Sequence, residues 1–72
     1  MTSAEKMFKE LGYVKGSFLE NIVYETEDGE YVITFWTFDK TFDAQKNIEP
    51  KDITMEELKA IIQQLKELGW YE

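Results

Sequence analysis

The sequence predicts an α+β domain of order α-β-β-β-α: a three-stranded antiparallel meander packed against two helices, one unit spanning residues 1–72. Three observations carry this reading. Apolar residues recur at helical spacing near both ends, the middle is rich in β-branched and aromatic residues, and Asp28-Gly29 interrupts that middle with a strong hairpin signal.

The first helix opens on Thr2 and Glu5, the spacing of a capping box. Ala4, Met7, Phe8 and Leu11 then form one apolar stripe. Gly12 supplies a left-handed stop, and Tyr13 folds back on Phe8. The segment KELGY (residues 9–13) is repeated almost letter for letter as KELGW (66–70), so the second helix ends in the same way, with Trp70 reaching back to Leu65. The flanks of the two copies differ, so the repeat is a shared stop signal and no duplicated domain. This second helix starts at a Thr54–Glu57 capping box, and its stripe is Met55, Leu58, Ile61, Ile62, Leu65 and Leu68.

Between the helices, strands are expected over residues 21–27, 30–38 and 41–46, with tight turns at Asp28-Gly29 and Asp39-Lys40. Residues 47–53, including Pro50, connect to the last helix. Period-two alternation puts Ile22, Tyr24, Tyr31, Ile33, Phe35, Phe42 and Ala44 on one face. The other carries Val23, Glu25, Val32, Thr34, Trp36, Phe38, Asp43 and Gln45. The first face is the natural helix seat. Either both helices pack there, leaving Trp36 and Phe38 in water, or one covers each face.

Composition narrows the function. The chain has no cysteine and no histidine, which excludes disulfides, thiolate and histidine-based catalysis, and Cys/His metal sites. Its glycines stand singly, so no phosphate loop is present. The acids around the hairpin lack calcium-loop spacing. Seventy-two residues can scarcely wall a cleft, so no enzymatic activity and no cofactor are expected. All eight basic residues are lysine and the net charge is −7, a balance that repels nucleic acid and favours a protein partner with a basic surface. No apolar run approaches a membrane span and the first residues do not form a signal peptide, so a cytoplasmic location without membrane contact is expected.

From Glu20 to Glu30 the chain holds five acids and no lysine. The candidate protein-binding patch is therefore Glu25, Glu27, Asp28 and Glu30 beside Trp36 and Phe38, with aromatic anchors and charge for steering. The competing reading makes the acids a solubilising edge and puts the two aromatics under the first helix.

AEKMFKELGY and ITMEELKAIIQQLKELGW resemble the ends of a family of small acidic proteins encoded in phages and prophages of Gram-positive bacteria. That family has no settled activity, and its shared motifs are caps and core positions, so no catalytic residue carries over. Ile62 departs from the asparagine associated with the family at that position. The resemblance implies an accessory protein that inhibits or modulates a host protein in the bacterial cytoplasm, in the manner of anti-CRISPR proteins that occupy a basic nucleic-acid groove. The alternative is a structural or assembly component that self-associates through exposed apolar strand surface and the Trp70-Tyr71 tail, which leaves monomer and homodimer both open.

Overall fold

A computed structural model describes residues 3–71. The elements are α1 (Ala4–Glu10), β1 (Tyr13–Phe18), β2 (Asn21–Thr26), β3 (Tyr31–Trp36), β4 (Thr41–Lys46), β5 (Glu49–Pro50) and α2 (Met55–Glu67). All strands pair antiparallel with their sequence neighbours, in the order β1-β2-β3-β4-β5. The helix–strands–helix layout follows the expectation, and the meander is longer by one strand at each edge.

Both helix stops form as the repeat implies. Gly12 and Gly69 take positive φ, 95° and 78°. At the end of α2, Trp70 N–H donates to the Leu65 carbonyl at 2.9 Å and Gly69 N–H to that of Lys66 at 3.1 Å, the paired bonds that close a helix on a left-handed residue. Phe8 and Tyr13 meet edge to face at 5.7 Å. The Thr54–Glu57 capping box is complete. At α1 the N-cap is Ser3, whose hydroxyl accepts from Lys6 N–H at 3.2 Å, and Thr2 lies outside the described residues.

Both helices seat on the same face of the sheet. Phe8 of α1 stacks on Tyr24 at 4.0 Å and meets Phe35 at 6.3 Å, and Ala60 and Ile61 of α2 join Tyr24, Ile33 and Phe35 in one core. Helix and helix are tied end to end. The Glu67 carboxylate accepts from the Ala4 N–H at 2.8 Å, satisfying a free donor at the start of α1 with a negative charge.

The stripe of α2 is rotated from the one expected. Met55 and Leu58 are exposed, while Glu57 and Gln64 are buried beside Ala60 and Ile61. The reason is chemical: two tyrosines bring hydroxyls into the core, and each needs an acceptor. Tyr13 Oη donates to Glu57 Oε2 at 2.7 Å, and Tyr24 Oη to Gln64 Oε1 at 2.6 Å.

The β2–β3 register is the one Asp28-Gly29 dictates, with Tyr24 opposite Ile33. The loop is longer than a two-residue turn and covers residues 27–30, with Gly29 at φ 74° and its N–H on the Thr26 carbonyl at 2.8 Å. β3 ends at Trp36, so residues 37–40 form a four-residue loop where a turn at Asp39-Lys40 was expected. Phe35 pairs with Phe42. Lengthening that loop slides the pairing by two residues, which keeps the face of each residue still in a strand but moves Phe38 off the second face and into the loop.

Candidate protein-binding face

With both helices on one side, the other side of the sheet is open. Its rows run across the strands: Val14, Glu25, Val32 and Gln45, then Gly16, Val23, Thr34 and Asp43, with Phe18 and Trp36 in the last row. Val14 and Phe18 are 62% and 59% exposed, and Val23, Val32 and Trp36 are half-buried. The Trp36 indole N–H donates to Asp43 Oδ2 at 2.9 Å. That bond draws the ring toward the Thr34–Asp43 pair and fixes a large, amphipathic side chain on the surface at low entropic cost.

The six residues expected to form one patch are divided. Glu25 and Trp36 share the open face. Glu27, Asp28 and Glu30 sit in the β2–β3 loop, whereas Phe38, 96% exposed, occupies the β3–β4 loop at the opposite end of the sheet. The length of β3 separates them, roughly 17 Å at ~3.3 Å per residue. A hairpin places its loop as far as possible from the next loop along the chain, so the acidic turn and Phe38 cannot meet.

The acidic loop is partly engaged in holding itself. Asp28 Oδ1 accepts from the Thr26 hydroxyl at 2.7 Å and from Glu30 N–H at 3.0 Å. The Glu30 amide, then the Thr26 hydroxyl, hold this carboxyl below its ordinary value. Asp28 is thus a turn former. Glu30 meets Asn47 of the β4–β5 loop, whose N–H donates to the Glu30 carbonyl at 2.9 Å.

The most connected polar group lies on the covered side. Glu57 Oε1 accepts from Lys51 Nζ at 2.6 Å and from Thr54 N–H at 3.0 Å, while Oε2 takes the Tyr13 hydroxyl. Burial pushes the Glu57 carboxyl up, but Lys51, the Thr54 amide and Tyr13 together outweigh it and leave it lowered. Tyr13 moves the other way, raised by burial and then by Glu57. Every lone pair in use faces a structural donor, so this network holds α2 to β1 rather than presenting reactive groups.

Val14, Phe18 and the neighbouring Leu19 were not singled out in the sequence, because β1 was not recognised as a strand. The available signal was a short alternation, Tyr13, Lys15 and Ser17 against Val14, Gly16 and Phe18. Among the described residues, no group of three or more acidic, His or Cys side chains is placed to hold a metal ion. Nor is any helix among the described residues long and apolar enough to cross a membrane. Comparison with protein-family models, with curated proteins and with solved structures found no match.

Proposed function

We propose that this chain is a non-enzymatic accessory protein that binds a host protein and inhibits or modulates it, laying its open sheet face on a basic surface of the kind that otherwise holds nucleic acid. The observation that carries the reading is the uncovered face bearing Val14, Phe18, Val23, Val32 and Trp36 in a chain of net charge −7. Aromatic and aliphatic side chains supply contact area, and the surrounding carboxylates steer a cationic partner toward it. The resemblance to small acidic phage proteins supports the same role, with carboxylates standing where phosphates would lie.

The test is capture from host lysate on the immobilised chain, washed at low salt and at about 1 M salt, where the screening length falls to about 3 Å. Wild type and a control variant at exposed Lys59 should retain the same salt-released protein, and Val32→Lys should lose it. Lysine at Glu27 and Glu30, in the far loop, should weaken capture less than Val32→Lys does. Capture that ignores Val32→Lys contradicts the face, and capture that ignores salt contradicts the charge argument.

A further inference from the structure

The two edges of the sheet are unlike. β5 is two residues long and contains Pro50, which blunts that edge. β1 presents a six-residue edge whose last five residues are all exposed. The two-residue loop makes Phe18–Asn21 the hydrogen-bonded pair closing the first hairpin. By alternation, Gly16–Val23 and Val14–Glu25 are the other bonded pairs, so the amides and carbonyls of Lys15 and Ser17 point away from β2.

Two further features of β1 bear on what can pair with it. Gly16 lies in mid-strand with an ordinary φ, and a Cβ there would meet only the Val23 carbonyl oxygen, at 3.9 Å. No contact within the chain requires glycine at this point, and a glycine inside a strand marks a bulge, a tight bend or a place where a ligand or another backbone approaches closely. In addition, β1 carries Lys15 and no carboxylate, although the chain has fifteen acids.

We propose that β1 is a self-pairing edge: two copies join antiparallel about a two-fold axis at Gly16, making one continuous ten-stranded sheet. The outward groups of Lys15 and Ser17 fix the register. Lys15 bonds opposite the partner's Ser17, Gly16 meets the partner's Gly16, and Val14 stands opposite the partner's Phe18 on the open face. Each aromatic ring thereby lies diagonally across the other copy's glycine, covering backbone that no side chain shields. The charges agree with this occupant. The two lysines are staggered rather than opposed, and Glu5 lines a hollow at the strand's margin together with Lys9 and Lys15. A basic extended peptide would instead set its cations against Lys15. This inference stands apart from the proposed host partner, since it concerns the edge and needs no second protein.

The test is sedimentation equilibrium from about 10 μM to about 1 mM, the range in which a small edge interface is populated, together with amide exchange at both limits. Wild type should pass from monomer to dimer, with slowed exchange at the Lys15 and Ser17 amides in the dimer only. Ser17→Pro removes an outward N–H while leaving the β1–β2 bonds, and should stay monomeric across the range with its thermal transition retained. A wild type that is monomeric throughout overturns the proposal. So does a dimer in which the Lys15 and Ser17 amides exchange as fast as in the monomer, a readout that holds even where Ser17→Pro fails to fold.

Discussion

The two faces of one sheet are built from the same strands, yet they end in opposite states. On the covered face, Tyr24, Ile33 and Phe35 are sealed beneath Phe8 and Ile61, and even the phenol hydroxyls find acceptors in Glu57 and Gln64. On the open face, valines, a phenylalanine and a tryptophan remain in contact with water. The difference shows that apolar character alone does not decide burial here. Glutamate and glutamine go inside because they complete hydrogen bonds, and Val14 and Phe18 stay outside because both helices are spent on the other side. Apolar groups that contribute little to folding are free to serve recognition, which is why the open face is the better functional candidate.

The largest expected effect breaks the contrast at its centre. Phe8→Ala removes the ring stacked on Tyr24 and should cost about 3–5 kcal/mol, comparable to the whole stability of so small a domain. Val32→Ala, on the open face, should stay within about 1 kcal/mol. Urea unfolding of the two variants measures both. Equal losses would mean that the faces are not distinct.

Next comes the buried pair. Lys51→Met strips Glu57 of its cation and should cost about 2–3 kcal/mol at neutral pH, the penalty of leaving a carboxylate buried with fewer partners. The pH dependence has a definite sign. Because the folded Glu57 carboxyl is lowered, its contribution is present above the ordinary glutamate value of 4.5 and is lost as pH falls through the folded value. Thermal melts between neutral and acid pH should therefore show a steeper acid decline in wild type than in Glu57→Gln.

These two sites also show what the sequence could and could not disclose. Three of the four helix caps were legible because their signals are local: Thr54 with Glu57, and the two Leu-Gly-aromatic stops; the fourth falls on Ser3 where Thr2 with Glu5 was expected. The central strands were legible from alternation and from Asp28-Gly29. β1 was not, because Lys15, Gly16 and Ser17 dilute its alternation and its loop, Leu19-Glu20, contains no usual turn former. Leu19 nonetheless takes φ 59°. β5 was hidden by its brevity and by Pro50. The inward turn of Glu57 and Gln64 was hidden as well, since a pattern of apolar spacing counts both as outward and cannot foresee that tyrosines on another element will call for them. The candidate patch failed as a unit because sequence proximity of Glu25 to Glu30 and of Trp36 to Phe38 says nothing of which hairpin end each occupies.

The smallest effect sharpens the comparison from the loops. Asn47 and Ile48 both take positive φ, 52° and 72°, in the two-residue β4–β5 loop, and Ile48 is 88% exposed. A branched side chain is strained in that backbone region, and Asn-Gly is the favoured pair. Ile48→Gly should raise stability by about 1 kcal/mol, read as a shift of the denaturant midpoint at unchanged slope. An unchanged or lowered midpoint would place that isoleucine among the folding contacts.

The most direct check on the one-sided arrangement is methyl relaxation of the dilute protein in the presence of a soluble, neutral paramagnetic agent. With both helices on one face, the Val14, Val23 and Val32 methyls relax strongly, while those of Ile33 and Ile61 stay protected. Protection of the three valines equal to that of the two isoleucines would contradict the account, because it would require a cover on the face that the fold leaves bare.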